Sequence, residues 1–261
     1  MPNQPPAIFN KLAVYYDCIY SKKEYDHEVS IIDKELQLQL SQSEFSLLDI
    51  GCGTGEHCLR FSKLGYSVTG LDQSPAVLEI AKQKARTNHQ DISFILDDAR
   101  NFSLATKFKA IVCLFHVTSY LTSNEDLTKF FSTVAKHLSN DGVFIFDCWY
   151  GPGVLSSKPE TQYKQHPHDS LTIHRIKVPR LMEESNMVEV RHTIFAVNDA
   201  EKKVEYPFTE THQLRYFFYP ELELLLTQAG LEIVKWGNML NNFSEVTGSE
   251  WDVGFVVKKK S

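Results

Sequence analysis

The chain lacks most of what would direct it to a membrane, a metal or a nucleic acid. Its 261 residues contain no apolar run approaching the ~20 residues that a membrane-spanning helix needs. The opening MPNQPPAIFNK lacks the charged-then-apolar layout of a secretory signal. Positive charge is short: 27 Lys and Arg face 33 Asp and Glu, a formal net charge of −6. The one basic run, Lys258-Lys259-Lys260, reads as a solvated tail, so the electrostatic footprint of a nucleic-acid partner is missing. Cysteine comes to five, an odd number with no C-x-x-C pair. Cys18, Cys52, Cys58, Cys113 and Cys148 read as reduced thiols of a cytoplasmic protein. No metal is expected: His166-Pro167-His168 has no nearby cysteine or paired carboxylate and reads as a solvated loop. There is no G-x-S-x-G elbow, no repeat and no low-complexity segment.

What is present is organised around Leu47-Leu48-Asp49-Ile50-Gly51-Cys52-Gly53-Thr54-Gly55-Glu56-His57. The apolar run Phe45 to Ile50 reads as a buried parallel strand, and a helical pattern carrying Leu59, Phe61, Leu64 and Tyr66 follows the turn. Glycine at every second position lets the backbone bend sharply and lets a ligand lie on main-chain N–H groups. The spacing is D-x-G-x-G-x-G, with an acid two residues before the first glycine, which the dinucleotide fingerprint G-x-G-x-x-G does not require.

Helix and strand then alternate to about residue 150, as a parallel sheet with right-handed crossovers demands. Strands are expected at Ser67–Asp72, Ile92–Leu96, Phe108–Leu114 and Gly142–Asp147. Ser74 is a candidate N-cap, with Pro75 at the first position of a helix running to about Arg86. Asp72 ends the second strand, where a carboxylate accepts both ribose hydroxyls of an adenosine. Residues 151–169, rich in Gly, Pro, His and polar side chains, read as an active-site loop. Leu171–Val178, Met187–Val197 and Val204–Phe218 read as an inserted three-stranded antiparallel sheet, since Val188, Val190 and His192 alternate with Glu189, Arg191 and Thr193. Such an insert would cover substrate or pair subunits in a homodimer. A helix from Pro220 to Ala229 and strands at Leu231–Trp236 and Trp251–Val257 complete the main sheet, the last strand antiparallel. Residues 8–40 look helical and dense in aromatics: Phe9, Tyr15, Tyr16, Tyr20 and Tyr25.

The glycine turn, the Asp72 acid and the Asp98-Ala99 corner resemble the class I S-adenosylmethionine-dependent methyltransferases. The opening Y-Y-D-x-I-Y, the stretch F-x-A-I-V-C-L-F-x-V-x-S-Y-L and the late H-Q-L-R-Y-F resemble the branch of N,N-dimethyltransferases acting on nucleotide-linked amino sugars. The resemblance implies a Rossmann-like α/β fold: a mostly parallel seven-stranded sheet with the last strand antiparallel, plus the inserted small sheet. It implies an N-terminal lid over 1–40, a cofactor-binding core over 41–150 and 219–261, and an insert over 151–218. Gly51, Cys52, Gly53 and Gly55 would pass under the methionine part of S-adenosylmethionine, and Asp49 would order the loop and reach toward its amino group. Asp72 and Gln73 would serve the ribose. Asp98 and Ala99 would meet the adenine, with Asp97 a competing candidate. Leu114 and Phe115 would border the methyl, and Tyr16 and Tyr25 would lie over cofactor or substrate. Ile8 or Phe9 stands near where that branch often has a lid tyrosine, and Tyr120 replaces a histidine of some members.

Methyl transfer from a sulfonium needs the nucleophile collinear with the methyl, and an amine nucleophile must be unprotonated. His116 and Tyr120, just past the fourth strand, are the candidate catalytic residues, as proton acceptor or hydrogen-bond orienter. The absence of N-P-P-Y or D-P-P-Y after that strand counts against amide methylation of DNA bases or glutamine. The expected acceptor is a small molecule, a nucleotide-linked amino sugar. The rival readings are a small-molecule O- or N-methyltransferase with another acceptor, and a cofactor-binding protein without catalysis.

Overall fold

Two helices open the described chain, α1 (Ala13–Ile19) and α2 (Tyr25–Gln39), within the stretch 8–40 that reads as helical. The computed structural model describes residues 12–40, 46–168, 170–198, 200–201 and 203–260; Ile8, Phe9 and Phe45 lie outside them. The glycine turn joins β1 (Ser46–Ile50) to α3 (Glu56–Lys63). Next come β2 (Ser67–Asp72), α4 (Pro75–Thr87), β3 (Ser93–Leu96) and β4 (Phe108–Cys113). A single 3-10 turn, Val117–Tyr120, precedes α5 (Asn124–His137) and β5 (Leu138–Tyr150). Ser74 caps α4 as expected, its Oγ accepting from Val77 N–H ahead of Pro75.

Strands β3, β2, β1, β4 and β5 lie side by side in parallel. Leu47, Leu48 and Ile50 on β1 are fully buried, which a run apolar on both faces dictates for a central parallel strand. Phe144 and Phe146 of β5 stack at 5.0 Å, and Phe146 meets Phe255 at another 5.0 Å. Each such ring contributes roughly 1.5–3 kcal/mol by leaving water. The strand order reverses between β1 and β4, so the loops leaving their carboxyl ends open a crevice there, the place where open α/β sheets bind ligands.

Beyond β5 the structure corrects two expectations. Residues 151–169 are not a loop: they form α6 (Gly151–Ser156) and β6 (Gln162–His168). The antiparallel sheet therefore has four strands, continuing with β7 (Leu171–Met182), β8 (Met187–Asn198) and β9 (Lys203–Phe217). β6 is the edge strand and mostly exposed, so neither apolar alternation nor exclusion of proline marks it; Pro167 is tolerated at such an edge. α7 (Tyr219–Gln228), β10 (Leu231–Gly237) and β11 (Asp252–Lys259) follow. β11 lies antiparallel to both β5 and β10. Trp149 on β5 pairs with Asp252 of β11 and with Tyr216 of β9, which must therefore lie on opposite sides of β5. β9 thus continues on the β4 side, and the antiparallel sheet stands above the carboxyl end of β4.

Candidate active site

All three turn glycines are left-handed, with φ of +74° at Gly51, +54° at Gly53 and +81° at Gly55. A Cβ on Gly51 would lie 2.6 Å from both methyls of Val117, and one on Gly55 would lie 3.1 Å from the Cβ of Ala81. On Gly53 it would meet nothing within 4 Å. The outer glycines are thus required by packing as well as by backbone sign, and the middle one leaves an open cradle. Gly51 and Cys52 donate their N–H groups to Leu71 O at 2.7 and 3.0 Å, tying the turn to the end of β2.

Asp72 completes this corner. Its Oδ2 accepts from Gly53 N–H at 2.9 Å and its Oδ1 from Ser74 N–H at 2.9 Å. Burial raises its pKa, while those N–H groups and that of Gln73 act against the rise. Asp72, Gln73, Gly51, Cys52 and Gly53 line a cavity of about 1410 Å³. Asp49 and Gly55 do not reach it. Asp49 is buried below the turn, where its Oδ2 receives the Cys58 thiol at 3.2 Å. Gly55 is the left-handed residue that starts α3.

Asp97, Asp98 and Ala99 also line the cavity. Asp98 grips the Arg100 guanidinium, with Nε 2.9 Å from Oδ1, and Arg100 holds its carboxyl below the ordinary range. Asp97 Oδ1 accepts from Asp98 N–H at 2.8 Å. Both acids are thus partly committed, and the choice the sequence left between them stays open.

Helices α1 and α2 are fastened to the turn by side chains that the sequence did not single out. Thr54 Oγ1 donates to Asp17 Oδ1 at 2.6 Å, and Lys84 bridges Asp17 and Glu56 at 2.6 Å each. His57 meets Glu28 at 2.9 Å. These links bring Tyr16 and Tyr25 to the cavity wall beside Leu114 and Phe115. Tyr20 packs edge-on against Phe115 at 5.0 Å, and Lys23 Nζ lies 4.4 Å above the Phe115 ring.

Phe115 and His116 both take φ of +64°, rare for residues with a Cβ. Asp147 of β5 holds them there, Oδ2 accepting from Phe115 N–H at 3.1 Å and Oδ1 from His116 N–H at 2.8 Å. The His116 ring Nε2 lies 2.7 Å from Asp252 Oδ1 and 3.8 Å from Asp147 Oδ2. Burial works against a charged ring, yet the two carboxylates prevail and bring its pKa up to about 9. His116 therefore carries its proton at neutral pH.

The far wall belongs to the antiparallel sheet. Lys177 of β7, His192 of β8 and His212 of β9 face the cavity, and Tyr120 Oη lies 2.8 Å from His212 Nδ1. In sequence, His212 sits in phase with Leu214 and Tyr216 on the buried face of β9, an alternation that could have marked it. Among the described residues no group of His, Cys, Asp and Glu is placed to hold a metal, and no helix is long and apolar enough to cross a membrane.

The arrangement fits S-adenosylmethionine: an open left-handed cradle, a half-buried carboxylate beside it, and more volume than the roughly 300–1,000 Å³ one small ligand needs. A family described as Methyltransferase domain matches residues 47–142. Over 218 residues the chain is 29% identical to the dTDP-4-amino-2,3,4,6-tetradeoxy-D-glucose N,N-dimethyltransferase of Saccharopolyspora spinosa, covering 83% of each chain. It is 29% identical over 220 residues to the dTDP-3-amino-3,4,6-trideoxy-alpha-D-glucopyranose N,N-dimethyltransferase of Streptomyces venezuelae, covering 84% of this chain and 89% of that one. The crystal structure of Streptomyces venezuelae DesVI superposes with a TM-score of 0.79 at 25% identity, over 95% of this chain and 98% of that one. The switch-point crevice and these likenesses agree: the chain is an S-adenosylmethionine-dependent methyltransferase with a methyltransferase domain over residues 47–142, its fold matches that of class I methyltransferases, and it resembles the N,N-dimethyltransferases of nucleotide-linked amino sugars.

Proposed function

We propose that the chain methylates the amine of a nucleotide-linked amino sugar. The observation that carries this acceptor is Lys177. It lines the same cavity as the glycine turn and makes no ion pair among the described residues. Burial, with Arg175 and Lys164 nearby, pushes its pKa down to about 8. His192, its partner across the strands, is pushed down to about 3 by burial, then by His212, Arg175 and Lys177. A half-buried cation without a counter-ion is costly, and an anionic ligand would remove that cost. The diphosphate of a nucleotide sugar is such a ligand, and the relatives at 29% identity are named for dTDP-linked amino sugars.

S-Adenosylmethionine supplies an electrophilic methyl group on a sulfonium. In this reading Gly51, Cys52 and Gly53 support its amino-acid end, Asp72 and Gln73 its ribose, and the Asp97–Ala99 corner its base. Tyr16 and Phe115 present aromatic faces suited to a neighbouring positive charge. The lid links and the Asp147-held corner fix these groups before the acceptor arrives. Such positioning can lower a displacement barrier by several kcal/mol.

The test combines calorimetry with S-adenosylmethionine and a product assay on dTDP-3-amino-3,4,6-trideoxy-α-D-glucose. The expected result is cofactor binding, one or two added methyl groups, and little turnover of the same amino sugar without its nucleotide. Equal turnover of the free sugar would overturn the acceptor assignment and leave the methyltransferase itself standing.

A further inference from the structure

The wall that faces the acceptor also contains a chain of proton-bearing groups. Tyr120 Oη lies 2.8 Å from His212 Nδ1, His212 Nε2 lies 3.5 Å from Glu210 Oε2, and Glu210 Oε1 accepts the N–H of Leu12 at 3.1 Å. His212 and Glu210 are two apart on β9 and share its inner face. Tyr120 comes from the 3-10 turn after β4. Their side chains are almost entirely removed from solvent, with His212 at 3% and Glu210 at 11% exposure, yet Tyr120 and His212 both line the cavity.

We propose that Tyr120, His212 and Glu210 form a relay that takes the proton from the acceptor's ammonium before each methyl transfer. The inference rests on the amino-sugar reading above. The negative charge of Glu210, 3.5 Å from His212 Nε2, favours the ring hydrogen on that nitrogen, which leaves Nδ1 to accept the Tyr120 O–H. Tyr120 lines the cavity, where an ammonium N–H can approach its oxygen. When an ammonium N–H approaches Tyr120 Oη, its proton passes to the phenol oxygen as the phenol's own proton passes to His212 Nδ1. The products are a neutral amine, an unchanged neutral tyrosine and an imidazolium paired with Glu210. The proton then leaves His212 for solvent. Each methyl transfer turns the amine into an ammonium again, so a second methylation at the same nitrogen needs the relay once more.

The surroundings of His212 favour this direction. His192 of β8 packs on its ring at 4.7 Å and stays neutral. Arg175 and Lys177 of β7 stand beyond His192, and Glu210 Oε2 lies 3.5 Å from His212 Nε2 on the other side. Tyr20 and Glu210 both act with burial to keep Tyr120 protonated, and Tyr16 is the other phenol close to it. Because Tyr120 does not ionise, it passes a proton on without storing one. Tyr120 is the catalytic member, while His212 and Glu210 act through it.

The test is the pH dependence of kcat with dTDP-3-amino-3,4,6-trideoxy-α-D-glucose, comparing the native chain with Glu210→Gln and His212→Asn. Glu210→Gln keeps an oxygen acceptor for Leu12 N–H and the same shape. At pH 7 both variants should turn over about 100-fold more slowly, at the modest end of general-base effects. Near pH 10, where the amine arrives neutral, both should approach the native rate. S-Adenosylmethionine affinity by calorimetry should stay within twofold and reports folding. A deficit that is the same at every pH, or none at pH 7, overturns the relay while leaving the amino-sugar reading intact. Failure of the native chain to methylate the probe at any pH, with the cofactor bound, overturns both.

Discussion

The two ends of the cavity are built on opposite principles. At the end proposed for the cofactor, the wall is largely main chain: the left-handed glycines Gly51 and Gly53, closed by one carboxylate that bonds to the turn. At the end proposed for the acceptor, it is made of side chains on three different strands and a 3-10 turn. Tyr120 and His212, in contact at 2.8 Å, are 92 residues apart. A backbone-built site tolerates little variation in its own residues. A side-chain-built one can change specificity by substitution without disturbing the sheet beneath.

The largest effect should come from placing a side chain in the backbone-built end. Gly51→Ala brings a Cβ within 2.6 Å of Val117 at a φ of +74°. Strain and overpacking at roughly 1–3 kcal/mol each should lower both melting temperature and S-adenosylmethionine affinity, the latter by about 100-fold. Gly53→Ala, with nothing within 4 Å of its Cβ, should lower affinity with a smaller loss of stability. Equal melting temperatures for the two variants would show that the turn is not packed as described.

His116 stands where the two ends meet and gives the next effect. Its pKa is raised from an ordinary 6.5 to about 9, so the charged ring's contribution to stability is complete below about pH 6.5 and disappears as pH rises through 9. Denaturant unfolding should show about 2 kcal/mol lost between pH 7 and pH 10. Asp252→Asn should shrink that difference; an undiminished pH dependence would refute the ion pair's role.

The smallest of the three effects tests the side-chain-built end. Lys177→Met removes the cation that no acid balances. It should raise KM for the dTDP-linked amino sugar about tenfold, or ~1.4 kcal/mol. S-Adenosylmethionine affinity should be unchanged and the melting temperature no lower, because a half-buried unpaired charge costs stability. A matched loss of cofactor affinity would mean that the two ends are not separable.

The asymmetry also explains what could be read before folding. The glycine turn and the capped α4 were legible because each depends on neighbours a few residues away, and Asp72 because it ends the next apolar strand after the turn. Asp49 was chosen for the cofactor from its place in the motif, yet Cys58 holds it under the turn and away from the cavity. β6 reads as a loop in the sequence because an exposed edge strand has no apolar face to repeat. The lid's fastening through Asp17 and Glu28 left no local trace, since the partners Thr54 and His57 lie on another element.

Sequence by itself determined the doubly wound sheet and its glycine corner, because period, glycine conformation and strand-end chemistry act over short stretches of chain. Only the tertiary structure decided what faces the acceptor. His116 became a protonated ring between Asp147 and Asp252, and Lys177, His192 and His212 gathered opposite Tyr120, through strand pairing across long separations. Electrostatics and proton transfer depend on distance in space, and distance in space is set here by how β9 joins the far end of β5.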